Sequence, residues 1–241
     1  MAKIRLFIDH PLAEGQEIAL NDNQAHYLSG VMRQTAGAEI AVFNGQDGEW
    51  LARITQIGKR GGTITPVSQS APQRNPPDLW LLFAPIKKAR TDFIVEKAAE
   101  LGAARIIPIQ TDHTNAERIR QDRLQAHAVE AAEQCGGTFV PEVTDLHPLP
   151  RLLDGWDPAR PILWADEAMA GPAATLATLK PGPWAILIGP EGGWSEAERA
   201  NLGLRPYVTR ISLGPRILRA DTAAVAAISL WQAALGDWNG N

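Results

Sequence analysis

The stretch Ile188-Gly189-Pro190-Glu191-Gly192-Gly193-Trp194-Ser195 and its counterpart Leu213-Gly214-Pro215-Arg216-Ile217-Leu218-Arg219 each join a short apolar run to a helix. Ala185-Ile186-Leu187-Ile188 is continuously apolar, the pattern of a strand covered on both faces of a parallel sheet. Ser195 followed by Glu198 is a capping box, so a helix is predicted from Glu196, its free N–H groups turned toward the glycine turn. In the second unit Tyr207 to Leu213 reads as a strand, and Asp221 or Thr222 as the cap of a helix reaching Leu235. That helix is apolar almost all round, through Ala223, Val225, Ile228, Leu230 and Trp231, so it belongs inside a domain or against another subunit. At about 14 residues it is shorter than the ~20 that cross a bilayer.

Two such turns side by side make a pocket walled by backbone amides. A helix N-terminus there favours an acceptor-rich or anionic ligand group. Glu191 in one loop, with Arg216 and Arg219 after the other, puts charge where open α/β sheets bind ligands. Neither G-x-x-x-x-G-K-[ST] nor a strand-linked G-x-G-x-x-G is present, which removes the common nucleotide loops. Ser195 lies in Gly-Trp-Ser-Glu-Ala, not G-x-S-x-G, so it reads as a helix cap and not as a nucleophile.

Upstream, residues 3–68 hold short runs rich in Ile, Val, Phe and Thr: Ile4–Ile8, Glu17–Leu20, Glu39–Phe43, Glu49–Ile57 and Thr63–Val67. Turn signals such as Asn44-Gly45 and Gly61-Gly62 separate them. The pattern predicts a small β-barrel or sheet with a short helix around Gln24–Arg33. A proline-rich linker follows at Ser70–Asp78. From Leu79 strands alternate with helices: strands at Leu79–Ala84, Arg105–Ile109 and Pro161–Ala165, helices at Asp92–Leu101 and Glu117–Gln134. Alternation of this kind predicts a parallel sheet covered on both faces. Lys87-Lys88-Ala89-Arg90 reads as a basic loop at a strand end.

The 241 residues are 45% hydrophobic, enough for one large core or two smaller ones. The single cysteine, Cys135, excludes an internal disulfide and a multi-cysteine zinc site, and the five histidines show no ligand spacing, so no metal is expected. The opening residues turn polar too soon for a secretory signal and no stretch spans a membrane, which points to the cytoplasm. A net charge of −4 argues against a uniformly basic nucleic-acid coat. The acidity is confined to residues 126–241, with thirteen Asp/Glu against eight Lys/Arg, leaving the first half to meet a polyanion.

At these residues the chain resembles the RsmE family, bacterial 16S ribosomal RNA (uracil-N3)-methyltransferases of the SPOUT superfamily. The likeness spans almost the whole length. It is carried by Arg5-Leu-Phe, His26-Tyr-Leu with Val31-Met-Arg33, Phe43-Asn-Gly45, Lys87 with Glu96-Lys-Ala-Ala-Glu-Leu-Gly102, Glu130-Ala-Ala-Glu-Gln134 and, most specifically, the two glycine-proline blocks with Thr222-Ala223. It departs from the family pattern at Thr111-Asp112-His113-Thr114 and at Gly136-Gly137.

The resemblance implies an α/β fold: a PUA-like RNA-binding β-barrel over 1–72, then a SPOUT parallel-sheet methyltransferase domain over 73–241 with a C-terminal trefoil knot. It also implies a homodimer, S-adenosylmethionine as cofactor, and 16S rRNA or the small ribosomal subunit as partner. By position the cofactor loops match Leu163-Trp164-Ala165, then Ile188, Gly189, Glu191 and Gly192, then Ile211, Leu213, Gly214, Ile217 and Leu218. Arg219 is the expected stabiliser of charge on the uracil oxygens and Glu191 the expected proton acceptor. Arg5, Arg33, Lys87 and Arg90 are the expected phosphate contacts. Two other classes remain open at this point: a non-catalytic dimeric RNA-binding protein and a nucleotide hydrolase using helix N-termini, the latter lacking the phosphate-loop lysine and metal-binding carboxylates. A SPOUT enzyme acting at another RNA position is a further alternative.

Overall fold

The computed structural model describes residues 4–116, 118–169, 176 and 178–239. It divides into two compact units, one running up to Asn75 and including Ala132–Val140, the other made of Pro76–Ala131 and the residues from Pro141 on. The excursion at 132–140 has no counterpart in a division at 72/73.

In the first unit, β1 (Arg5–Phe7), β2 (Ile18–Leu20), β3 (Glu39–Phe43), β4 (Glu49–Gly58) and β5 (Gly61–Ala71) form one sheet in the order β1-β3-β4-β5-β2. Among the described residues the two end strands are not paired, so the hydrogen-bonded ladder is a sheet and not a closed barrel. Leu6, Ile8, Ile40, Val42, Ala52, Ile54 and Ile64 alternate inward and make its core with Leu28. β5 continues through Ala71 and absorbs the start of the expected linker. The helix expected over Gln24–Arg33 is α1 (Asp22–His26), capped by a box at Asn21 and Gln24, followed by a π-turn at Tyr27–Val31 and by Arg33 at φ 52°.

Arg5, expected on phosphate, is an internal strut of this unit. Its Nε donates to Glu49 at 2.8 Å, and its guanidinium donates to the carbonyls of Ala132 (2.7 Å), Glu133 (3.0 Å) and Gly137 (2.7 Å). Those carbonyls lie at or just past a helix C-terminus, where acceptors lack intrahelical partners and a cation is favoured. With 11% of its side chain exposed and Phe43 beneath it, Arg5 has nothing left for RNA.

The second unit is built from β6 (Leu79–Phe83), α2 (Lys88–Glu100), β7 (Arg105–Gln110), α3 (Gln121–Cys135, its last turn belonging to the first unit), β8 (Glu142–Val143), β9 (His147–Pro148), α4 (Leu149–Asp154), β10 (Ile162–Ala165), β11 (Trp184–Ile188), α5 (Glu196–Gly203), β12 (Val208–Ile211) and α6 (Ala220–Leu235). Every pairing is parallel, in the order β12-β10-β11-β6-β7-β8, with β9 also on β7. β10 and β11 are buried at every residue, which is why they read as unbroken apolar runs. Leu82, Ile107, Trp164, Leu187, Trp194 and Leu202 are central to one core cluster.

Several boundaries differ from expectation. The basic segment is not a loop: Lys87 caps α2 and Lys88–Arg90 form its first turn, because Thr91 Oγ1 bonds both the amide (3.0 Å) and the carbonyl (3.1 Å) of Ile86 and fixes the turn. α6 begins at Ala220 with Arg219 as its N-cap, so Asp221 and Thr222 lie inside the first turn. α3 starts at Gln121; Glu117, the expected start, lies outside the described residues. Gln232, fully buried, ties α6 to the end of α2 by donating to Leu101 O at 2.7 Å. Among the described residues no helix is long and apolar enough to cross a membrane.

Arg5→Ala removes the guanidinium that Glu49 and the three carbonyls share, and is expected to cost about 3 kcal/mol in urea unfolding. Arg5→Lys should recover only part of this, since an ammonium lacks the planar fork.

Candidate functional site

β10 lies between β11 and β12, in a register that sets Ala165 level with both Ile188 and Ile211. The three strands therefore end together, and the loops that follow them meet at the C-terminal edge of the sheet, the usual ligand edge of an open α/β fold. They enclose a cavity of about 340 Å³ whose far side is the start of α6, at Ala220 and Ala223.

The glycine turn has its shape for a packing reason. A Cβ on Gly189 would stand 2.7 Å from the Trp194 ring, and one on Gly193, where φ is 71°, would stand 2.6 Å from Glu167 Oε1. Trp194 is buried against Trp164, edge to face at 5.9 Å, so the ring cannot retreat. The capping box predicted at Ser195 is present, with Ser195 Oγ accepting from Glu198 N and Glu198 bonding Ser195 N at 2.9 Å. Behind the turn, His113 Nδ1 lies 3.1 Å and 3.0 Å from the carbonyls of Gly192 and Gly193, which requires Nδ1 to be the donor.

The carboxylates of Asp166, Glu167 and Glu191 in the cavity wall are each ion-paired. Asp166 is buried and accepts from Arg199 and Arg210 and from the amide of Ala168. Burial acts to raise its pKa, but the Ala168 amide and the two guanidiniums outweigh that and leave it below the ordinary carboxylate value. Arg199 also holds Glu167 at 2.5 Å. Arg90 holds Glu191 at 2.7 Å and approaches Asp221 at 3.6 Å. The cations in the wall differ: among the described residues Arg216 and Arg219 have no carboxylate partner, and both are exposed.

Of the residues expected at a cofactor, Ala165, Ile188, Gly189, Glu191, Leu213, Gly214, Ile217 and Leu218 line the cavity, as does Arg219. Leu163, Trp164, Gly192 and Ile211 do not. Leu163, Trp164 and Ile211 are buried in the strands that end at the site, and Gly192 faces His113. Asp166, Glu167, Met169 and Arg216 line the cavity without having been on that list. Asp166 and Glu167 carried one available signal, two acids directly after a buried strand. Arg33 lies in the first unit, away from these loops in sequence, and Lys87 is exposed at the start of α2.

The residues present fit an adenosyl sulfonium donor. Ile188, Leu213, Leu218 and Ala223 supply apolar wall for a ring, and the amides of Leu213, Ile217 and Leu218 donate to nothing else among the described residues. Glu167 and Glu191, held by Arg199 and Arg90, complete the lining.

Residues 73–232 match the family model described as RNA methyltransferase domain, and residues 20–67 the one described as RNA methyltransferase PUA domain. The fold and site are thus those of an RNA methyltransferase. The ribosomal RNA small subunit methyltransferase E of Rickettsia conorii is 31% identical over 229 residues, covering 93% of each chain, and that of Bacillus subtilis is 29% identical over 93% of this chain and 94% of its own. The structure of the Neisseria gonorrhoeae enzyme of that name, bound to S-adenosyl methionine, superposes with a TM-score of 0.89 at 27% identity, covering 98% of this chain and 99% of that one. A Legionella pneumophila methyltransferase in complex with SAM gives 0.89 at 28% identity, covering 98% and 100%. The chain belongs to the ribosomal RNA small subunit methyltransferase E family.

A carboxyl whose pKa is lower in the folded than in the unfolded state stabilises the fold above the ordinary carboxylate range, and that contribution is lost as pH falls through the folded value. Asp166→Asn is therefore expected to destabilise the protein most near pH 7. The gap to wild type should shrink below about pH 4, as read by urea midpoints across pH.

Proposed function

We propose that this protein transfers a methyl group from S-adenosylmethionine to N3 of one uridine in 16S rRNA of the small ribosomal subunit. The observation that carries this is the cavity at the ends of β10, β11 and β12: its acids are paired within the protein, while among the described residues Arg216 and Arg219 in its wall are exposed and have no carboxylate partner. The full-length similarity to enzymes named for the small-subunit rRNA supports the choice of substrate.

Bound at the cavity, S-adenosylmethionine would supply an electrophilic methyl group. The chain's own task is to present N3 as a nucleophile. Uracil N3–H is a weak acid, so its proton must leave and the charge that spreads to the flanking carbonyl oxygens must be held. Arg219, a cation in the cavity lining, is placed for the second task. Glu191, also in the lining, is the proton acceptor in this reading. N3 is a Watson–Crick atom, so the base must enter unpaired or extruded from its stack. Arg33 on the first unit and Lys87 on the second remain the proposed phosphate contacts, joined by Arg216.

The same reading includes the trefoil knot of SPOUT enzymes in the segment from β10 to α6, the cytoplasm as the place of action, and a homodimer. Support for the dimer comes from α6, where Val225, Ala226, Ser229 and Leu230 are only partly covered in the single chain and Trp238, just beyond it, is 54% exposed. An apolar stripe of that kind is covered in most proteins.

Arg219 caps α6 through its backbone and makes no side-chain cap bond, so truncating it leaves the helix start intact. Arg219→Ala is expected to lower kcat about 100- to 1000-fold while the Kd for S-adenosylmethionine holds, measured by mass-spectrometric mapping of methylated 16S rRNA together with calorimetry. Unchanged turnover removes Arg219 from the mechanism, and methylation at another base removes the uridine assignment.

A further inference from the structure

Arg90 occupies a place that a phosphate contact does not need. Its Nη1 is 2.7 Å from Glu191 Oε1, and its Nε is 3.6 Å from Asp221 Oδ2. Glu191 belongs to the loop after β11, and Asp221 to the first turn of α6, one residue past the Arg219–Ala220 stretch that closes the cavity. One guanidinium thus ties the Glu191 wall of the cavity to the first turn of α6, whose Ala220 and Ala223 line it. Arg90 is itself held: it sits in the first turn of α2, next to Thr91, whose hydroxyl is bonded at both ends to Ile86. Its side chain is 31% exposed, and both of its donors in these contacts are directed at acids. Lys87 and Lys88, on the same turn, carry no such ties among the described residues and remain exposed.

We infer that Arg90 is a positioning residue of the donor pocket: it fixes the Glu191 loop against the start of α6 and so sets the width of the cavity, while Lys87 and Lys88 beside it face solvent. The inference rests on the donor-site reading given above. It assigns to Arg90 an effect on donor affinity, where a phosphate contact would affect RNA affinity and its salt dependence.

The test compares wild type with Arg90→Gln and Arg90→Lys. Calorimetry reads the Kd for S-adenosylmethionine, filter binding reads 16S rRNA affinity across a salt series, steady-state kinetics give KM for the donor and kcat, and a thermal melt reports folding. Arg90→Gln should raise the donor Kd and KM about three- to tenfold with the melt and the RNA salt slope unchanged. Arg90→Lys, which can reach one acid at a time, should recover part of the loss. An unchanged donor Kd with a salt slope reduced by about one overturns the inference and returns Arg90 to the phosphate. Should Arg90→Gln lower the melt, Asp221→Asn, alone and in the Arg90→Gln background, decides: additive losses of donor affinity overturn the strut, and a second substitution that costs nothing further supports it. Absence of donor binding by wild type is a separate outcome, which overturns the donor-site reading and this inference with it.

Discussion

The site depends on one alignment, the parallel pairing of β10 with β11 on one side and β12 on the other. Because Ala165 is level with both Ile188 and Ile211, three chain segments far apart in sequence leave the sheet at one height. After β11 and β12 the chain turns within a few residues, which needs glycine at 189, where a Cβ would strike Trp194, and at 193 and 214, where φ is positive. The cavity is what remains between turns that cannot fill the space they enclose. Its rigidity comes from below, where Trp164 and Trp194 pack edge to face and give Gly189 a floor.

Charge is organised around that cavity in two layers. Arginines 90, 199 and 210 stand behind the wall and neutralise Asp166, Glu167 and Glu191, which fixes the loops and keeps the buried acid ionised. Arg216 and Arg219 stand in the wall without such partners among the described residues. In a chain of net charge −4 this gives a polyanion a local point of approach that overall composition does not announce.

The strands and turns of this site were legible because their signals are local: an unbroken apolar run, a glycine-proline turn, a Ser195–Glu198 box. The identity of the pocket's chemistry was legible through the resemblance carried by those same blocks. What sequence did not reveal depends on distant partners. Arg5 read as a surface cation because the carbonyls it serves lie 127 to 132 residues away. Asp166 and Glu167 gained meaning only when Arg199 and Arg210 folded onto them. Glu142–Val143 and His147–Pro148 were missed since two residues are too few to show a period. The first turn of α2 reads as a loop because three cationic residues hide the Thr91 bond that fixes the turn.

The most direct measurement is a calorimetric titration of S-adenosylmethionine into wild type and into Gly189→Ala, with circular dichroism on both. If the glycine turn and its tryptophan floor shape a donor pocket, wild type binds one equivalent per site. The added methyl, forced into Trp194 at 2.7 Å, then weakens binding by about tenfold or more without loss of helix or sheet. Equal affinity in the two proteins would contradict the account.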